Sequence, residues 1–310
     1  MEKPLIIITG PTATGKTDFS IKLAEEIGGE VISADSMQVY KGLDVGTDKV
    51  SAEIREKIPH HLIDVITPDK PFSVADFVKL SDKAIKEIRE RDKYPIVVGG
   101  TGFYIKALLY GIPQTPPSDR KIREQLLSQP TEELYEKLQK IDPKYAQKIG
   151  RNDKKRIVRA LEIYEITGKP ITSFKPFSST PRYEFLGYFL YRNRNELYKR
   201  IENRVDSQIE RGLIEETKWL LQFGKNTTAF QALGYKEILE YLEGKRSLEE
   251  AVQLLKRRTK QFAKRQFTWF KKEPKFRWIN MSQIPEDKIT KLIKQDLKLY
   301  EGKNERENHT

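Results

Sequence analysis

Eight residues near the N-terminus carry the most specific chemistry in the chain: Gly10, Pro11, Thr12, Ala13, Thr14, Gly15, Lys16 and Thr17. This order, Gly-x-x-x-x-Gly-Lys-Thr, makes a phosphate-binding P-loop when a strand runs into it and a helix leaves it. The glycines let backbone N–H groups close around phosphate oxygens, and the helix N-terminus adds its positive end. Lys16 supplies a point charge and Thr17 a hydroxyl ligand for magnesium. Such a loop specifies binding of a diphosphate and leaves the reaction open. P-loop hydrolases and kinases also hold magnesium with an acidic residue that ends a buried strand. Here the apolar run Ile96-Val97-Val98 ends in Gly99-Gly100-Thr101-Gly102, without a carboxylate, and Asp64 could serve only if its strand were central. An ATP-hydrolysing machine is therefore disfavoured. A second stretch, Ser33-Ala34-Asp35-Ser36-Met37-Gln38-Val39-Tyr40, offers Asp35 as a general base. An aspartate before serine is also a common helix N-cap, and the residues alone leave both readings open.

Positioning these groups requires an open parallel sheet. Leu5 to Thr9 reads as a strand, Lys16 to Ile27 as a helix closed by Gly28-Gly29, and Glu30 to Ser33 as the next strand. Val74 to Arg91 is helical and Tyr94 to Val98 extended, with a further strand expected over His61 to Ile66. In such sheets ligands gather outside the carboxyl ends of the strands, which puts Asp35 on the same edge as the P-loop. Prolines from Pro113 to Pro117 interrupt regular structure, and a charged helical stretch follows to about Gly168. Glu184 to Tyr191 then reads as a strand and the chain becomes helical from Asn195. The expected fold is α/β, a P-loop NTPase-like parallel sheet flanked by helices, with an inserted all-helical domain and a helical C-terminal region. Residues 1–115 and 180–300 form the discontinuous core, 116–179 the insert, and 301–310 a polar, disordered tail.

The chain has 57 Lys and Arg against 45 Asp and Glu, a formal net charge of +12, which suits a polyanionic partner. No apolar run approaches the roughly 20 residues of a membrane-spanning helix. Without a cysteine there is no disulfide, thiol nucleophile or cysteine-bound zinc. The start of the chain lacks the pattern of a secretory signal, so a cytoplasmic setting is expected.

Several blocks in the same order resemble one family, the tRNA dimethylallyltransferases or tRNA isopentenylpyrophosphate transferases. They are Gly10 to Thr17, Asp35 to Tyr40, Lys41-Gly-Leu-Asp-Val-Gly-Thr47, Pro59-His-His-Leu-Ile-Asp64, Gly99-Gly-Thr-Gly-Phe-Tyr104, Asn152 to Arg159, Gly234-Tyr235 and Thr259 to Trp269. The resemblance spans nearly the whole chain. It implies transfer of a dimethylallyl group from dimethylallyl diphosphate to N6 of the adenosine 3′ of the anticodon, in tRNAs reading codons that begin with U. The P-loop would then hold the donor's diphosphate, with Mg2+ on Thr17, and ATP need not be hydrolysed. The family's catalytic positions fall on Lys16, on Asp35 as the base for N6, and on Arg204, which steadies the leaving diphosphate. By charge pattern alone, Arg204 is a surface ion-pair residue on an amphipathic helix. The family's tRNA contacts fall on Asp35, Ser36, Met37, Gln38, Thr101, Arg123, Lys155, Arg156, Ile157, Val158, Arg159, Gln231, Ala232, Leu233, Gly234, Tyr235 and Lys236. A zinc finger, appended in some members, cannot form without cysteine.

Between Leu254 and Lys275 nine basic residues face one acid, Glu273. Lys256, Lys260 and Lys264 share a helical face that could neutralise RNA phosphates, while Leu255, Phe262 and Trp269 have the spacing of a core stripe. The expected partners are the tRNA anticodon stem-loop and dimethylallyl diphosphate, acting on a monomer, with no membrane. The competing readings are a P-loop nucleoside or small-molecule kinase, an isopentenyltransferase acting on free adenine nucleotides, and a non-catalytic RNA-binding module with a relic P-loop.

Overall fold

A computed structural model describes residues 2–307 of the chain. Residues Tyr110–Thr180 pack as one compact unit and the remainder of the chain as another. The larger unit is built on a six-stranded parallel sheet. Its strands are β1 (Leu5–Thr9), β2 (Gly29–Ser33), β3 (His60–His61), β4 (Tyr94–Gly99), β5 (Phe185–Tyr191) and β6 (Phe276–Asn280), in the order β3-β2-β4-β1-β5-β6. Every residue of β1 and β2 is buried, as expected for strands covered on both faces. Around the sheet lie α1 (Lys16–Ile27), α2 (Ala52–Lys57), α3 (Val74–Glu90), α4 (Gly102–Tyr110), α9 (Arg194–Glu210), α10 (Leu213–Leu220), α11 (Tyr235–Leu242), α12 (Leu248–Phe270) and α13 (Glu286–Glu307). The smaller unit contains α5 (Arg120–Leu127), α6 (Thr131–Ile141), α7 (Pro143–Ala146) and α8 (Lys154–Thr167).

Two cores hold the larger unit. Ile6, Ile8, Phe19, Leu23, Ile96, Leu190 and Ile293 join the sheet to α1 and α13. Val39, Tyr40, Leu43, Leu213, Phe230, Tyr235 and Leu255 form the second, under the loop that follows β2. The insert has a core of its own in Leu134, Leu138, Ile157, Val158 and Leu161.

Three elements differ from the sequence expectation. The strand expected over His61 to Ile66 shrinks to His60–His61 because Leu62 and Asp64 adopt left-handed backbone, φ 64° and 55°. The C-terminal region contains a strand, β6, which pairs with β5 from Gly187–Phe276 to Tyr191–Asn280. Helix α13 continues through Glu307, across most of the tail read as disordered; residues 308–310 lie outside the described residues. No helix among the described residues is long and apolar enough to cross a membrane.

Candidate active site

The P-loop leaves β1 at its carboxyl end and feeds straight into α1. Thr9 Oγ1 donates to Gly99 O at 2.8 Å, fastening the loop's start to the end of β4. Within the loop, Thr14 Oγ1 donates to Pro11 O at 2.7 Å and Lys16 Nζ donates to the same carbonyl at 2.6 Å. Gly15 caps α1 from the left-handed region with no side-chain cap, so the first-turn N–H groups have no side chain competing for them. Unsatisfied first-turn donors and the helix's positive end together make an anion site. Thr17, in that first turn, is exposed. Lys16 is half-buried, and burial first, then the positive charge of Arg204, push its ammonium down to about 7; the negative charge of Asp35 opposes them. Lys16, Asp35 and Arg204 therefore share one electrostatic neighbourhood, although they come from α1, the loop after β2, and α9.

Asp35 acts as a cap, but of a turn. Its Oδ1 accepts from Met37 N at 2.8 Å and Gln38 N at 3.3 Å, and residues 36–39 form turns, not a helix. Oδ2 accepts no hydrogen bond among the described residues. The neighbouring Ser36 N donates to Thr101 Oγ1 at 3.3 Å, which ties this loop to the one after β4. Gln38 is held at both ends of its amide: Ser33 Oγ donates to its Oε1 at 2.9 Å and its Nε2 donates to Thr47 O at 3.1 Å. Thr47 ends a loop built around the Glu216 carboxylate, which accepts the N–H groups of Asp44, Val45 and Gly46 at 2.7–2.9 Å. Tyr235 donates its hydroxyl to the same carboxylate at 2.6 Å. A Cβ on Gly46 would lie 2.4 Å from that hydroxyl, so only glycine allows the close approach.

Three site residues escape a reading of the sequence. Arg192 Nε donates to Thr14 O at 2.7 Å and Arg200 Nε to Ala13 O at 2.8 Å, so two consecutive P-loop carbonyls are held by arginines from far along the chain. Signals exist: Arg192 directly follows a strand's carboxyl end, and Arg200 stands one helical turn before Arg204. Gln266 of α12, nearly buried, accepts from Thr12 N at 2.9 Å. Asp64 is excluded as a strand-end metal ligand. It follows an edge strand, and Lys49 Nζ and Arg55 Nη1 pair with its two oxygens at 2.6 and 2.7 Å. Burial alone would raise the Asp64 carboxyl, but those hydrogen bonds outweigh it and hold the group below its usual range.

The IPP transferase family model matches residues 38–273, and an isopentenyl transferase model matches residues 3–64. The chain belongs to the IPP transferase family. A tRNA dimethylallyltransferase of Carboxydothermus hydrogenoformans is 51% identical over 301 residues, covering 94% of this chain and 97% of that protein. The solved full-length tRNA isopentenylpyrophosphate transferase of Bacillus halodurans aligns over 100% of both chains at 41% identity, with a TM-score of 0.75. A eukaryotic dimethylallyltransferase solved while acting on tRNA aligns over 91% of this chain and 74% of that one at 34% identity, with a TM-score of 0.77.

In this IPP transferase the residues matched to tRNA contacts divide by accessibility. Lys155, Arg156, Gln231 and Lys236 are exposed, and Arg123 and Arg159 partly so. Ile157 and Val158 are core residues of the insert, and Ala232, Gly234 and Tyr235 are buried beneath their loop, so these five side chains support a surface and do not form it. Arg123 Nη2 and Arg159 Nη1 both reach the fully buried Glu162 at 2.7 Å, within the insert. Arg204 Nη1 pairs with Asp48 at 3.2 Å, as its charge pattern suggests. The basic face of α12 is partly neutralised: Lys256 pairs with Asp206 at 2.7 Å, and Lys260 with Glu202. Of the expected core stripe, Leu255 is buried whereas Phe262 and Trp269 are only half-buried.

Proposed function

We propose that this prenyltransferase moves a dimethylallyl group from dimethylallyl diphosphate to N6 of the adenosine 3′ of the anticodon, in tRNAs reading codons that begin with U. The products are N6-dimethylallyladenosine and diphosphate. The reading is supported above all by the surroundings of Lys16, whose ammonium at the head of α1 feels the charges of both Arg204 and Asp35. A base and two cations around an anion-binding helix end suit displacement of a diphosphate by a weak nucleophile.

The adenine amine is a poor nucleophile because its lone pair is delocalised into the ring. In the proposed step N6 attacks C1 of the donor, the C1–O bond breaks, and its electron pair leaves with the diphosphate. The N6 proton passes to Oδ2 of Asp35, whose Oδ1 stays engaged with the turn. The loop N–H groups, Lys16 and Arg204 meet the charge that builds on the departing oxygens. Magnesium commonly takes one or two protein ligands and completes its shell with phosphate oxygens and water, so the exposed Thr17 hydroxyl at the head of α1 fits it. When bound, Mg2+ would add positive charge at the leaving group.

Lys155, Arg156, Gln231 and Lys236 are the exposed candidates for RNA contact. A stacked adenosine must leave its neighbours to meet the donor, at a cost of about a few kcal/mol, so base flipping belongs to the reading. Labelled dimethylallyl diphosphate is incubated with bulk tRNA, with AMP and without acceptor. Label in tRNA alone is the expected result; label in AMP would move the function to free nucleotides. Label in neither acceptor would remove the prenyl reading.

A further inference from the structure

Gln266 stands where α12 meets both loops of the site. It is 5% exposed, and a polar side chain in that position must place its donors and its acceptor. Its Oε1 accepts from Thr12 N at 2.9 Å and its Nε2 donates to Gly100 O at 3.0 Å. One amide thus bridges the P-loop and the loop after β4. The second of these loops continues into Thr101, which accepts from Ser36 N beside Asp35. A path of three hydrogen bonds therefore runs from the anion loop through Gln266 and Gly100-Thr101 to the segment that carries the base. Gly100 makes room for the bridge, since a Cβ there would sit 2.1 Å from Gln266 Nε2.

We infer that Gln266 is a positioning residue that sets the separation between the diphosphate loop and the Asp35 loop. The inference rests on reading those loops as the donor and base sites. Gln266 itself need not touch either substrate. Because Thr12 N–H is taken by the amide, phosphates are left with the other loop donors, and the loop's opening is fixed before the donor arrives. A shift of about 1 Å between the loops would carry N6 and C1 out of reacting distance, which typically costs about 10²-fold in rate.

Two substitutions break the bridge from opposite sides. Gln266→Leu removes both hydrogen bonds while keeping most of the volume. Gly100→Ala leaves Gln266 intact but drives its amide away. Single-turnover transfer at saturating donor and tRNA is expected to fall about 10- to 100-fold in each, with tRNA affinity within about twofold of wild type. The double variant should be no slower than the slower single one, because the two act on one bridge. Wild-type transfer to tRNA is the control that separates failure of the functional reading from failure of this one. Losses that multiply in the double variant, or single variants that melt earlier yet turn over at the wild-type rate, would overturn the positioning role. Should Gln266→Leu fail to fold, Gly100→Ala alone decides: an unchanged single-turnover rate rejects the bridge.

Discussion

Around Gly10–Thr17 the central cation has no carboxylate partner among the described residues, whereas several cations on the faces read as meeting RNA are already paired. Lys16 reaches only a backbone carbonyl and is pushed down to about 7. Arg123 and Arg159 are tied to Glu162, Lys256 to Asp206 and Lys260 to Glu202. The difference follows from the ligands. A small diphosphate is best met by a central cation whose charge is unspent until it arrives, even though the outer Arg204 is paired with Asp48, because binding energy then appears where charge develops. An RNA backbone presents many phosphates in water, and a cation already held by a carboxylate adds little net neutralisation to any one of them. Single changes should therefore be severe at the first site and mild at the second.

Asp35→Asn is the most severe test. Asparagine keeps an Oδ1 acceptor for Met37 N and Gln38 N, so the turn and the melting temperature should hold. The base is lost, and single-turnover transfer should slow by roughly 10²- to 10⁴-fold, or about 3 to 5 kcal/mol of barrier. A rate within a few-fold of wild type, with melting unchanged, would reduce Asp35 to its turn-capping role.

Lys16→Ala comes next. A hydrogen bond to a charged group is worth about 1.5–3 kcal/mol, so the donor KM should rise roughly 10- to 100-fold and turnover should also fall, while tRNA affinity stays put. The free enzyme's Lys16 titrates near 7, against 10.5 for an ordinary lysine, and an arriving diphosphate raises it again. Above neutral pH the side chain is largely neutral and must gain a proton as the donor binds. Donor affinity should thus decline as pH rises above about 7. Calorimetry at mildly alkaline pH in two buffers of different ionisation enthalpy should show proton uptake that vanishes in Lys16→Ala.

Glu162→Gln probes the paired class. Burial alone would raise this carboxyl, but hydrogen bonds from Arg159 and Arg123 hold it below the usual carboxylate range. The amide can still accept Asp119 N, which donates to Glu162 Oε1 at 2.8 Å, yet it removes the charge that aims both arginines. We expect tRNA affinity to fall about 3- to 10-fold, on the scale of one charged group leaving the interface, with the donor KM unchanged. An unaltered tRNA affinity would take Arg123 and Arg159 out of the interface.

What the sequence disclosed follows the same divide. Strand β1, helix α1 and the loop between them are set by neighbours in the chain, and the pattern of apolar run, glycines and lysine shows them without long-range knowledge. Gln266 looks like any polar residue in a basic helix, because its two partners lie over 160 residues away. The shortening of β3 turns on left-handed backbone at Leu62, where the residue type gives no warning. Strand β6 hides because Phe-Arg-Trp-Ile-Asn is short, carries a charge and follows a run of lysines. Ile157, Val158 and Tyr235 match the family as parts of blocks, together with their neighbours. The helical spacing of Ile157, Val158 and Leu161 already marks that pair as facing the core, whereas Tyr235 is explained only by Glu216.

The mildest effect is expected on α12. Neutralising Lys256, Lys260 and Lys264 together would shift the log-log salt slope by at most about 0.9 for each phosphate left unneutralised, if each lysine held one phosphate. Two of them do not stand free. Lys256 is mostly buried against Asp206, and Lys260, paired with Glu202, also lies over the Tyr198 ring at 5.2 Å. Each would have to leave a carboxylate to meet a phosphate, so the net number of counterions released is small. Lys264 is exposed and has no carboxylate partner among the described residues, and it should carry most of the change. The triple glutamine variant should therefore flatten the slope by about the share of one phosphate, and Lys264→Gln alone should reproduce nearly all of it. Titrations of tRNA binding at several salt concentrations measure both slopes. A triple-variant slope that falls by about three times the Lys264→Gln change would mean that RNA strips the carboxylates away, and the division between spent and unspent charge would then fail on this face.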